Sequence, residues 1–364
     1  MNERLIPMIK RLFRDLGSRQ RPGVRRASGA FERLTARGKL QRAGALQNAL
    51  ALMMIASVVI AVRPVQAQWE PLPPLPEPNG GFISGHQDGK LVIVGGTNWE
   101  GGKKNWLKAV RVFAPETGQW GEIAFGYPVA YGVGAQSGGS SFRFIGGSDG
   151  KEPFKAIGHV AADRASFLKA PRLPPSVVLA SGGEVKGSLI LVGGSDDAGN
   201  LAGVTSSTFL ITSSTSKRLA DYPGKPFATA ASAVAGNELF VFGGMNYDAE
   251  AKLPANSSEA YAFSPTRNVW RKLKPLAVPT RGLTAVTLDE GHIYIAGGYR
   301  EDFTAEAVIY DVKADSYRKA LPLPYAAMVG LVKMGDHVYC LGGEDKKQSR
   351  TDKFFRIPVA ELLK

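Results

Sequence analysis

The chain has 364 residues, with 45 Lys/Arg against 32 Asp/Glu, a net charge of +13, 43 glycines and 23 prolines. That length admits one large β domain or two smaller ones, and the Gly and Pro content favours many turns over long helices. The basic excess sits at one end: residues 1–67 carry a net +10 and the remainder a net +3, so the folded part has no polyanion-binding signature and no nucleic-acid partner is expected.

In chain order, residues 1–67 read as a basic leader followed by a signal peptide or signal anchor. Residues 43–62 carry no charge, and the purely apolar run Ala49 to Val62 is 14 residues long. A bilayer span needs about 20 apolar residues, so this run suits the central segment of an export signal. Small residues at Val65 and Ala67 offer a cleavage site before Gln68. Export to the periplasm or outside the cell is the expectation, with membrane attachment only if the leader stays uncleaved. The single cysteine, Cys340, lies in an apolar strand-like run. No intrachain disulfide is possible, and the residue reads as a small buried apolar group.

Residues 68–364 are organised by a repeat. The runs LVIVGG, FRFIGG, LILVGG, LFVFGG, IYIAGG and VYCLGG end in glycine pairs whose first members are Gly95, Gly146, Gly193, Gly243, Gly297 and Gly342. Six copies spaced at about 50 residues predict an all-β fold, a six-bladed kelch-type β-propeller. Each copy reads as four strands. In the fifth these are TRGLTAVTL, GHIYIAGG, AEAVIYDV and DSYRKALPLP. Copies two and three are degenerate at the outer strand, where Phe167 and Lys217 replace the large aromatic of the others. The domain opens on QWEPLPPLP, an outer strand without its three predecessors, and closes on TDKFFRIPV, a third strand without a fourth. The last blade is therefore expected to be completed by the N-terminal strand, which leaves no open sheet edge at the join.

In a four-stranded antiparallel blade, the loops after strands two and four share one face. That gathers Asn98, Trp99, Lys103, Lys104, Asp149, Asp196, Asn246, Tyr247, Tyr299, Arg300, Glu344 and Arg350 with Asn79, Tyr131, Arg281 and Tyr325. A polar rim with aromatics suits a hydroxylated, anionic small molecule. GGTNWEGGKKNW is not a phosphate loop, because Thr97 stands where the first glycine is required. His292 and His337 occupy the same turn on the opposite face, so no metal site is expected.

Two stretches are more specific. CLGGEDKKQSRTDKFF resembles the Glu-to-Arg blade of bacterial sialic acid mutarotases, the N-acetylneuraminate epimerase family, with the same spacing between Glu344 and Arg350. GGFISGHQDGKLVIVGGTNWEGGKKNW, followed by PVAYGVG, resembles that family's next blade. Here one stretch ends the chain and the other opens it, so the resemblance is to a cyclically permuted branch. It implies a cofactor-independent isomerase with an acidic sugar as its small-molecule partner. Glu344 would be the general base and Arg350 its neighbouring cation, both catalytic; an arginine there can keep Glu344 ionised and clamp the sugar's carboxylate by a bidentate pair, a clamp for which Arg300 and Arg281 are further candidates. Arg300, Arg281, Asn98, Tyr131 and Trp99 are the candidate substrate-binding residues. No metal and no organic cofactor are implied. The other reading is a non-catalytic kelch propeller that binds a protein or glycan, and a homodimer is left open.

Overall fold

A computed structural model describes residues 68–135, 139–168 and 173–364; the expected leader lies outside them. Ala67–Lys364 forms one compact unit, a six-bladed β-propeller of four-stranded antiparallel sheets. The fifth blade runs Thr284–Asp289, His292–Ala296, Ala307–Asp311 and Ser316–Lys319, matching the four strands expected there.

The core is six slabs, one between each pair of neighbouring blades. This explains why the second strand of a blade is apolar throughout. Leu239, Phe240, Val241 and Phe242 are all fully buried, because both faces of that strand pack against a neighbour. Alternation survives on the inner strands, such as Ile83–Gln87, where one side faces the central channel.

The outer aromatics latch each blade to the one before it. Trp120 Nε1 donates to the Pro73 carbonyl (3.3 Å), Trp270 Nε1 to Ala220 (2.9 Å), Tyr317 Oη to Lys274 (2.7 Å) and Trp69 Nε1 to Pro322 (2.8 Å). Phe167 has no donor and instead packs against Phe125, Tyr127 and Phe154. A buried or half-buried indole or phenol needs such a partner, and each of these finds a backbone carbonyl on the preceding blade.

The N-terminal strand closes the ring. Glu70 and Pro71 pair with Arg356 and Phe355, and Arg356 donates twice to the Glu70 carboxylate (2.7 and 3.0 Å). Pairing then continues inward through Leu72 N to Phe354 O (2.9 Å), Leu75 N to Asp352 O (2.9 Å) and Asn79 N to Thr351 O (3.2 Å). Leu75 is buried with Leu91, Phe113, Leu341 and Phe354 in the slab between blades six and one. The chain ends in a one-turn helix, Val359–Leu363, that the sequence did not announce and that buries Leu362 against the slab between blades five and six.

Two hairpins rise from the glycine-pair face: Thr97–Glu100 with Lys103–Trp106 in blade one, and Met245–Asp248 with Leu253–Asn256 in blade four. Both lie where the sequence pattern predicts plain loops. The first is a two-residue hairpin whose turn, Gly101-Gly102, takes φ of +56° and +76°, the conformation that such tight turns require.

A backbone girdle runs around the mouth of the channel on this face. Gly81, Tyr131, Leu179, Thr229 and Gly282 occupy the same place in blades one to five, and all have φ between +54° and +68°. Each donates its N–H to the preceding member's carbonyl at 2.7–2.9 Å, from Tyr131 onto Gly81 through to Gly282 onto Thr229. Blade six breaks the girdle. Its inner strand, Met328–Met334, carries a bulge between Met328 and Gly330, and Met328 pairs with Glu344 instead.

Candidate active site

Glu344 sits where the girdle is broken. It was expected in a loop behind the glycine pair, but strand His337–Glu344 runs straight through Gly342 and Gly343, so Glu344 is its last residue. The bulge opposite absorbs the mismatch. A carboxylate at the end of a paired strand is held more firmly than one on a free loop.

The glycine pair is built into this support. Gly343 has φ of +106°, and a Cβ there would lie 2.2 Å from the Met328 carbonyl oxygen. Its N–H donates to Asn79 O (2.7 Å), and its carbonyl accepts from Thr351 N (3.0 Å). Tyr325 Oη donates to Gly342 O (2.8 Å). Tyr325 is buried, which pushes its phenol well above the usual value. It acts as a buttress for the glycine pair and not as a rim group. Gly343→Ala is expected to lower stability by several kcal/mol, because it adds a backbone clash to the φ penalty. Gly89→Ala, at φ of +70° with open space around it, carries the φ penalty alone, of about 1 kcal/mol. Chemical denaturation of the two variants separates the terms, and equal losses would show that the Met328 carbonyl can move aside.

Arg350 is 4% exposed at its side chain and spans the site. Nη1 lies 3.2 Å from Glu344 Oε2 and donates to Ser349 O (2.6 Å). Nε donates to Thr97 Oγ1 (3.2 Å), and Nη2 reaches Tyr131 Oη at 3.4 Å. Gly80 makes room for it, since a Cβ there would meet the Arg350 Cδ at 2.4 Å. Each of the three guanidinium nitrogens thus donates one hydrogen bond, and Nη1 makes the ion-pair contact with Glu344 as well. A bidentate grip on a ligand carboxylate, which needs two parallel N–H groups, is therefore not open to Arg350 in this arrangement.

A different cation is available. Lys104 Nζ lies 4.8 Å from the Tyr131 ring centre and 5.0 Å from that of Trp106, and no carboxylate pairs with it among the described residues. Trp106 meets the Tyr131 ring edge-to-face at 5.6 Å. Burial acts to raise the Tyr131 phenol, but Lys104, Thr97 and Arg350 outweigh it and hold it below the ordinary tyrosine value.

Glu344, Arg350 and Tyr131 line one cavity of about 190 Å³ with Phe82, Leu179, Thr229 and Met328. Its lining mixes these polar groups with the apolar side chains of Phe82, Leu179 and Met328. A larger void of about 540 Å³ is the central channel itself, walled by the inner strands. Its lining is mostly backbone and small side chains, and none of the three polar groups above opens into it.

The other candidates are placed differently. Trp99 pairs across the blade-one hairpin with Lys104 and shares the face carrying Thr97 and Trp106. Asn98 is on the opposite face, buried and accepting from Asn105 Nδ2 (3.1 Å), and so supports the hairpin. Arg281 stacks on Tyr299 (4.6 Å) and donates to Asn256 Oδ1 (3.2 Å). Arg300 pairs with Glu306 (2.6 Å) and donates to Thr280 Oγ1. Neither arginine lines the Glu344 cavity. Thr97, Lys104 and Trp106 were not singled out as ligands, yet their alternation, with Thr97 and Trp106 cross-paired, places them on one face of the hairpin.

A Kelch motif matches residues 226–277, which is blade four. The N-acetylneuraminate epimerase of Salmonella enteritidis PT4 is 26% identical over 177 residues, 38% of this chain and 46% of that protein. That of Salmonella typhimurium is 28% identical over 179 residues, with the same shares. The chain thus spans less than half the length of these relatives. Mouse Kelch-like protein 35 is 28% identical over 172 residues, 47% of this chain and 28% of that protein. The molecule is a six-bladed β-propeller with a Kelch motif, similar over part of its length both to N-acetylneuraminate epimerases and to Kelch-like proteins.

Proposed function

We propose that the protein is an exported mutarotase that interconverts the anomers of N-acetylneuraminate or a related acidic sugar, and that it belongs to a cyclically permuted branch of that family. The observation that supports this most directly is the shared cavity of Glu344, Arg350 and Tyr131, with Lys104, which no described carboxylate pairs, over the Tyr131 ring. Partial coverage of the epimerases fits as well, since a colinear match across a permuted order reaches only part of each chain.

The chemistry needs little. Glu344 takes the proton of the anomeric hydroxyl, its O–H electrons become the carbonyl bond, and the ring C–O bond breaks. Rotation about the freed carbon and reclosure on the other face give the second anomer. Arg350 orients the carboxylate of Glu344, and Lys104 supplies the charge that attracts the sugar's own carboxylate. Trp99 and Trp106 offer apolar surface for the ring. No metal or organic cofactor is required by these steps.

The similarity to Kelch-like proteins favours a second reading, a propeller that binds a protein or glycan without turnover. One experiment separates them. Freshly dissolved crystalline N-acetylneuraminic acid is followed by proton NMR with and without protein. Anomer interconversion faster than in buffer at neutral pH is expected, and an unchanged rate sinks the mutarotase reading.

A further inference from the structure

Ring opening demands a second proton transfer. When the ring C–O bond breaks, the departing ring oxygen must receive a proton, or it leaves as an unfavourable alkoxide. Glu344 is occupied at that moment with the anomeric hydroxyl. The two reacting oxygens are attached to the same carbon, so base and acid must stand close together.

The site contains one group in that relation to Glu344. Arg350 Nη1 faces the carboxylate and Nη2 faces the Tyr131 hydroxyl, so the two ends of one guanidinium hold the two groups side by side. Among the other hydrogens nearby, those of Arg350 and Thr97 are committed. Arginine does not release its proton in proteins. Thr97 Oγ1 gives its hydrogen to Gly80 O (3.1 Å) and accepts from Arg350 Nε. The phenolic hydrogen has only the long 3.4 Å contact to that same Thr97 oxygen, a weak bond that an incoming ring oxygen can replace. Tyr131 is also held in a left-handed conformation, φ +64°, by the girdle. A glycine meets that geometry without strain in blades one and five, at Gly81 and Gly282.

Resting on the mutarotase reading, we propose that Tyr131 is the general acid of the reaction: it protonates the ring oxygen as Glu344 deprotonates the anomeric hydroxyl. On reclosure the phenolate takes that proton back and Glu344 returns its own to the carbonyl oxygen, so both groups end as they began. Lys104 Nζ and Arg350 Nη2 carry the positive charge that stabilises the transient phenolate. The same two cations keep the resting phenol below its ordinary value, nearer to neutral pH, where a general acid works best.

Tyr131→Phe removes the hydroxyl but keeps the ring on Trp106 and under Lys104. The expected result is a fall in enzyme-catalysed anomerisation on the order of 10²-fold or more, with sugar affinity by calorimetry and the melting curve close to wild type. In the wild-type pH profile, rate should fall as the phenol ionises, at a pH below that of an ordinary tyrosine. The charged and titratable groups facing the hydroxyl are Lys104 from the blade-one hairpin and Arg350 and Glu344 from blade six. Lys104→Gln removes one of the cations that lower the phenol and also the charge that attracts the sugar carboxylate, so KM should rise, and the alkaline limb of the turnover remaining at saturating sugar should move to higher pH. A Tyr131→Phe protein that turns over normally, when Glu344→Gln does not, overturns the acid assignment and leaves the mutarotase reading intact. Loss of affinity in place of rate makes Tyr131 a binding residue and also overturns it. A wild-type protein without activity overturns both the reading and the inference.

Discussion

Glu344→Gln is expected to lower the rate of anomer interconversion on the order of 10²- to 10⁴-fold while leaving the fold unchanged. The amide is the same size as the carboxylate and keeps an oxygen for the Arg350 Nη1 contact at 3.2 Å. It can no longer accept a proton. Glu344 is 33% exposed but Arg350 only 4%, so the amide leaves a buried guanidinium without its carboxylate and some loss of melting temperature is expected, limited by the oxygen that still faces Nη1. Proton NMR on freshly dissolved sugar gives the rate, and thermal unfolding gives the control. Retained turnover with an unchanged melting curve would remove Glu344 from the mechanism.

Deleting the N-terminal strand is the second large effect. A chain that starts at Gly80 loses Leu72, Leu75 and Asn79 together with their backbone bonds to residues 351–354. Leu75 is 4% exposed in the closing slab; removing such a side chain costs about 2–5 kcal/mol, and each lost backbone bond about 1 kcal/mol. The melting temperature should fall on the order of 10 °C. Activity should be lost before global unfolding. Asn79 O is the acceptor for Gly343 N, and Asn79 N bonds Thr351 O, so the strand is tied to both flanks of the Glu344–Arg350 segment. Phe354 and Phe355 would also become part of an unpaired edge, a risk for aggregation. A truncated protein with full activity would show that the sixth blade holds its geometry with three strands.

Neighbouring patterns in the chain announced the fold because its repeat is local. Each blade is one antiparallel sheet built from consecutive strands, so glycine pairs, alternation and spacing were enough to count six of them. Closure was legible too, since an orphan outer strand and an unfinished third strand can satisfy only each other. Even Glu344 and Arg350 are six residues apart on one segment, and their contact is a short-range fact.

The rest of the site is made by closure itself. Tyr131 Oη meets Arg350 across 219 residues, and Thr97 Oγ1 meets Arg350 across 253; no local pattern encodes either distance. Which cation remains for a ligand was a matter of counting donors. Arg350, Arg281 and Arg300 look alike in a sequence, yet the first is largely committed inward, the second lies on Tyr299 and the third is paired with Glu306. Lys104 was one lysine among several until the two-residue turn at Gly101-Gly102 set the hairpin register and placed it over Tyr131. Blade architecture follows from short-range patterning, whereas Tyr131, Glu344 and Lys104 converge only when the ring shuts, because each arrives on a different blade.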